Sequence, residues 1–177
     1  MRWIGQEMIK NKAVFFDRDG VLNVDTGYLH SYDQLQWIPG ARETIAKLTQ
    51  AGWLLFVVTN QSGVARGYFT EADVMKLHRA MNEEFAKTGG RITEFLYCPH
   101  LPNAPIKKYD CICSCRKPAP GMILKALENY QICPNRAVLF GDSLRDIEAA
   151  DNAGINGFLY RGGDLWNFVR ENLPDLK

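Results

Sequence analysis

Three carboxylates fall within nine positions of "DRDGVLNVD", at Asp17, Asp19 and Asp25, directly behind the apolar run Ala13 to Phe16. Carboxylates crowded together repel, and each raises the cost of ionising the other. The arrangement is sensible chemistry if a cation sits among them, or if one of them keeps a proton to deliver. Two further polar groups follow apolar runs: Thr59-Asn60-Gln61-Ser62-Gly63 after Trp53 to Val58, and Gly141-Asp142-Ser143 after Ala137 to Phe140. Asp17, Asp19 and Asp142 could hold a hard divalent cation such as Mg²⁺, which takes about six oxygen ligands, usually one or two carboxylates with water and phosphate oxygens. The Thr59 hydroxyl, the backbone N–H groups of the Asn60 to Gly63 turn and the charge of Lys117 would then cradle a phosphoryl group.

A second set of residues suits a softer metal. Cys98 and His100 are one residue apart, and Cys111, Cys113 and Cys115 alternate. Thiolates with an imidazole predict a closed, tetrahedral structural Zn²⁺ site in the loop 98–115. The residues alone supply one cysteine too many, and free or redox-active thiols are the alternative. Cys133 reads as a small buried hydrophobe. Arg116 and Lys117 directly follow the last cysteine, so a metal-clipped loop would fix where both cations point. The planar fork of Arg116 suits a second anionic or hydroxylated part of a substrate, or else a surface ion pair.

The elements that must position these residues are legible as short apolar runs alternating with helix-like stretches. Ala13 to Phe16, Trp53 to Thr59, Ala137 to Phe140 and Ile155 to Tyr160 read as strands covered on both faces, with Ile92 to Cys98 a weaker one. Helices are expected over Ala41 to Gln50, from a Thr70/Asp73 capping pair to about Lys87, from Pro120-Gly121 to about Tyr130, and from Ser143 to Asn152. This order predicts an α/β fold, an open, mostly parallel sheet with helices on both faces. In such a sheet ligands collect at the carboxyl ends of the strands, where all three polar groups fall.

The 177 residues, 46% apolar and 23% charged with a net charge of +1, suit one domain spanning 1–177. The charge balance gives no reason to expect nucleic-acid binding, and no apolar run approaches the roughly twenty residues of a membrane span. The first dozen residues show no secretory h-region, which predicts a cytoplasmic protein with reduced thiols.

"DRDGVLN", "VVTNQSG", "RKPAPGM" and "FGDSLRDIEAADNAG" together resemble, in order and across most of the chain, the four motifs of the haloacid dehalogenase-like phosphatases. The resemblance implies a Rossmann-like core with Asp17 as nucleophile and Asp19 as general acid/base. Thr59 and Lys117 hold the phosphoryl group, and Mg²⁺ sits on Asp17, Asp142 and the Asp19 carbonyl with Asp146 in support. It favours Cys113 and Cys115 with Cys98 and His100 as zinc ligands, Cys111 being extra. There is no room for a large cap domain. The chain is similar to a capless subfamily with two activities: 7-phosphatase action on D-glycero-D-manno-heptose 1,7-bisphosphate, and histidinol-phosphate hydrolysis. The first is the closer match, because Ser62 stands where histidinol phosphatases carry an acid. Asp25, Thr26, Gly27, Tyr28, Asn60, Gln61, Ser62, Gly63, Arg116 and Lys117 are then the expected substrate contacts. A small phosphorylated sugar and a product feeding lipopolysaccharide or a nucleotide-activated heptose follow from the same resemblance, and a monomer is expected. The rival from another class is a zinc-stapled binding module without activity.

Overall fold

The computed structural model describes residues 11–173. Most of the N-terminal dozen, on which the signal-peptide reading rests, lies outside that range, as do residues 174–177. Five strands form one sheet: β1 Asn11–Phe16, β2 Leu54–Asn60, β3 Glu94–Cys98, β4 Ile132–Gly141 and β5 Asn156–Leu159. Their spatial order is β3-β2-β1-β4-β5 and every pair is parallel, so the sheet is wholly rather than mostly parallel. The chain builds outward from β1 to β3, then crosses back to β4. That reversal places the ends of β1 and β4 side by side, the position where open parallel sheets leave a crevice.

Successive strand residues point to opposite faces. Val14, Phe16, Leu55, Val57 and Phe140 meet the helices α1 (Ala41–Gln50), α3 (Glu71–Ala86) and α6 (Leu165–Asn172) through Ile45, Leu48, Leu77, Phe85 and Val169. Ala13, Phe15, Phe56, Val58 and Leu139 meet α4 (Gly121–Asn129) and α5 (Leu144–Ala153) through Ile123, Ala126, Ala149 and Ala150. Both faces are therefore dry, which is why these strands are apolar at consecutive positions. Among the described residues no helix is long and apolar enough to cross a membrane.

The expected helix starts hold. Asp73 N donates to Thr70 Oγ1 and Thr70 N to Asp73 Oδ2, a reciprocal cap on α3. Two helices were not anticipated. A single turn, α2 (Gly63–Arg66), follows β2. Helix α6 starts at Asp164, whose side chain accepts from Asn167 N, and buries Leu165 and Val169. Strand β4 also begins five residues before the expected Ala137, with a register shift opposite Asn11 to Ala13. Between β1 and α1 lies a loop with one 3-10 turn, and between β3 and α4 a loop with another. Neither holds a cap domain.

Candidate active site

Each expected catalytic side chain stands at a strand end or on the loop facing it. Asp17 leaves β1 with its N–H bonded to Phe140 O of β4 at 2.9 Å. Its Oδ1 accepts from Arg18 N at 2.7 Å and lies 3.0 Å from Lys117 Nζ, which fixes the roll of the carboxylate. Lys117 Nζ also lies 2.6 Å from Asp146 Oδ1 and donates to Val58 O at 2.7 Å. Lys117 belongs to no strand or helix, and Asn60 holds it in place. Asn60 Nδ2 donates to Lys117 O and Lys117 N donates to Asn60 Oδ1, both at 3.0 Å.

Gly20 shows why a glycine follows the second aspartate. Its φ is +85°, and a Cβ there would sit 2.0 Å from Asp142 Oδ2. The missing side chain opens a cradle in which carboxylate oxygens of Asp17, Asp142 and Asp146 come within 4.8 Å of one another. Hard oxygen donors at that spacing fit Mg²⁺. Asp146 has its oxygens engaged by Lys117 and by Ser143 N and Oγ, which suits a supporting role.

Burial pushes Asp17 up to about 7; Lys117 opposes the shift, while Asp146 and Asp19 add to it. Asp142 is raised by partial burial and by Asp146, with Arg145 and Lys117 opposing. Burial also acts upward on Asp146, but Lys117 and the Ser143 bonds outweigh it, and its pKa falls below the ordinary value. A divalent cation in the cradle would favour ionisation of Asp17 and Asp142 together.

Asp19 is outside this cluster of carboxylates and is held by a different set of donors. Its Oδ1 accepts from Arg18 Nε at 3.1 Å, Arg18 Nη2 at 3.0 Å and Asn23 Nδ2 at 2.9 Å. Its Oδ2 accepts from Arg18 Nη2 at 2.9 Å and Gln61 Nε2 at 3.0 Å. Gln61 Nε2 also donates to Thr59 Oγ1 at 2.9 Å. The Gln61 N–H, one of the turn amides expected to bind phosphate, is bonded instead to Cys98 O at 2.8 Å.

These groups line one cavity of about 310 Å³. Asp25, Gly27, Tyr28, Asn60, Gln61, Ser62, Gly63 and Arg116 join Asp17, Asp19, Thr59, Lys117 and Asp142 in its wall. Thr26 does not; it lines a separate shallow pocket with Gln34 and Gln36. Arg145 is in the wall and was not anticipated, although its place one residue before Asp146 on the first turn of α5 was readable.

The soft-metal residues gather too. Cys98, His100, Cys113 and Cys115 place their donor atoms within 4.8 Å of one another, while Cys111 is exposed and outside the group. The Sγ atoms are 3.1 to 3.5 Å apart, and His100 Nδ1 is 3.6 Å from Cys98 Sγ and 3.5 Å from Cys115 Sγ. Three sulfurs and a nitrogen in one compact group are a donor set that suits tetrahedral Zn²⁺, at about 2.3 Å from sulfur after slight expansion. Arg116 Nη1 donates to His100 O at 3.1 Å, tying the catalytic-site cation to the cluster.

Residues 114–166 match a family model described as HAD-hydrolase-like. The chain is 42% identical over 168 residues to the D-glycero-beta-D-manno-heptose-1,7-bisphosphate 7-phosphatase of Rhodopseudomonas palustris, covering 95% of this chain and 93% of that protein. It is 41% identical over 164 residues to the Escherichia coli K12 protein of the same name, covering 92% and 86%. Among solved structures, the D,D-heptose 1,7-bisphosphate phosphatase of B. bronchiseptica, complexed with magnesium and phosphate, superposes with a TM-score of 0.77 at 37% identity, over 93% of this chain and 89% of that one.

Proposed function

The chain belongs to the haloacid dehalogenase-like heptose-bisphosphate phosphatases, and from that membership we propose that it removes the 7-phosphate of D-glycero-β-D-manno-heptose 1,7-bisphosphate. The choice of the β anomer rests on the names of the relatives. The observation that carries the chemistry is the seating of Asp17 between the Lys117 ammonium, 3.0 Å away, and the acidic cradle behind Gly20.

In this reading Asp17 attacks phosphorus in line, and the P–O bond to the sugar breaks as Asp19 protonates the departing alcohol. A water then gives its proton to Asp19 and cleaves the aspartyl-phosphate, which releases inorganic phosphate and restores both carboxyl groups. Thr59 and Lys117 hold the phosphoryl oxygens throughout. Mg²⁺, held by Asp17, Asp142 and the Asp19 carbonyl, would supply charge neutralisation at the phosphoryl group. Asp146 keeps Lys117 aimed at Asp17. Zn²⁺ on Cys98, His100, Cys113 and Cys115 would staple the loop 98–115 and orient Arg116 toward the sugar or its second phosphate. Asp25, Gly27, Tyr28, Ser62 and Gly63 complete the sugar side of the cavity. A monomeric enzyme is part of the same proposal. Three clustered thiols support a reducing, cytoplasmic setting.

The test is Mg²⁺-dependent phosphate release from the β and α anomers of the heptose bisphosphate and from histidinol phosphate, compared by kcat/KM. Preference for the β anomer is expected. Faster turnover of histidinol phosphate would overturn the substrate while leaving the chemistry, and silence on all three would favour a binding module.

A further inference from the structure

Arg18 is fully buried, and nothing in the reaction above uses it. A guanidinium does not lose its charge on burial, so its donors must find acceptors. Three of its contacts are those already described to Asp19, and a fourth is to Leu29 O at 3.0 Å. Its Nη1 faces His78 Nε2 at 3.3 Å. Since arginine can only donate, His78 accepts there, and its ring is the neutral tautomer with the proton on Nδ1. His78 is itself buried on α3, stacked on Phe95 with centroids 4.6 Å apart. Burial and then the Arg18 charge hold its pKa well below the ordinary value, in keeping with that tautomer. A chain of contacts thus runs from Phe95 through His78 and Arg18 to the carboxylate of Asp19.

We propose that Arg18, held in place by His78, is the positioning residue that sets the orientation of the Asp19 carboxylate for proton transfer. Arg18 Nη2 donates to both carboxylate oxygens and Nε to Oδ1, so the guanidinium adds a planar, charge-assisted hold to the single bonds from Asn23 and Gln61 and restrains the carboxylate from turning about its own axis. When Asp19 carries a proton, one donor must withdraw. Gln61 is the one that can, because its amide also serves Thr59 and lies at the cavity wall. The inference rests on Asp19 as the general acid of the proposed function.

The experiment compares two leaving groups. kcat/KM reports steps through departure of the alcohol; a sugar alkoxide needs a proton to leave, whereas p-nitrophenolate does not. His78→Phe keeps the ring and its stacking but removes the acceptor. It should lower kcat/KM about tenfold on the heptose bisphosphate, part of the roughly 10²–10⁴ that general acid catalysis supplies. On p-nitrophenyl phosphate the change should be under about twofold, and His78→Gln, which restores an acceptor, should recover most of the loss. Should His78→Phe fold poorly, Arg18→Lys carries the same comparison, because an ammonium cannot fork. Equal losses on both esters, or none, would overturn the proposal. Asp19→Asn run alongside separates the two readings. If it shows no leaving-group dependence, the acid assignment itself has failed; if it does and His78→Phe does not, only the positioning role has.

Discussion

Lys117 Nζ is shared between two buried carboxylates, 2.6 Å from Asp146 Oδ1 and 3.0 Å from Asp17 Oδ1. One positive charge therefore serves two negative ones, and what Asp146 takes, Asp17 does not. With Asp146 present, Lys117 is held between the two carboxylates, and Asp17, the proposed nucleophile, keeps part of its negative charge unopposed. With it gone, the ammonium would close fully on Asp17.

Asp146→Asn is accordingly expected to damage both stability and rate. Removing one partner of a buried ion pair costs roughly 3–5 kcal/mol. The remaining Asp17 partner and the retained Ser143 bonds should hold the loss to about 2–3 kcal/mol in urea unfolding. kcat should fall at least about tenfold, with a smaller change in KM. An unchanged unfolding midpoint would show that the pair contributes nothing net to the fold.

The raised pKa of Asp17 makes a signed prediction for the metal-free protein. Its native value, about 7, lies above its ordinary 3.8, so between these limits the native state binds more protons than the unfolded one. Stability from this group is therefore greatest at the acid end of that window and declines as pH rises through about 7. Asp17→Asn cannot titrate, so in EDTA the variant should gain on the native protein as pH goes from 5 to 8. A constant difference across that range would refute the shift. The same variant should be folded and without measurable turnover; an active Asn variant would remove Asp17 as nucleophile.

Much of the site was legible because strand ends announce themselves. Asp17, Thr59 and Asp142 each follow an apolar run, and a parallel sheet brings such ends together whatever the details of its loops. The Cys/His cluster was legible in part: chain spacing alone does not distinguish Cys111 from Cys113 or Cys115, since all three alternate. The rest depended on side-chain direction. Thr26 sits among cavity residues in the chain, yet it lines the neighbouring pocket with Gln34 and Gln36. Arg18 lies between the two motif aspartates with no role assigned to it by spacing, and its side chain turns inward to a histidine sixty positions away. Helix α6 was missed because its buried residues, Leu165 and Val169, are few and lie beyond the last motif.

Metal analysis tests the cysteine loop. About one zinc per chain is expected, lost in Cys98→Ser and retained in Cys111→Ser, whose side chain is exposed and outside the cluster. Because Arg116 Nη1 is anchored on His100 O, Cys98→Ser should also raise KM for the sugar substrate. A folded, active protein without zinc would overturn the assignment, and equal zinc loss in both variants would put Cys111 in the shell.

Gly20→Ala isolates the cradle from the groups that line it. The substitution pays twice, once for an L-residue at φ +85° and once for a Cβ at 2.0 Å from Asp142 Oδ2. The backbone part alone is about 1–2 kcal/mol. The second part can be relieved only by moving Asp142, so the cation should bind more weakly even where the fold survives. The expected result is a Mg²⁺ concentration for half-maximal activity at least about tenfold higher, with kcat partly restored at saturating metal. Unaltered Mg²⁺ dependence in a folded Gly20→Ala protein would mean that Asp142 does not hold the metal from the position it occupies here.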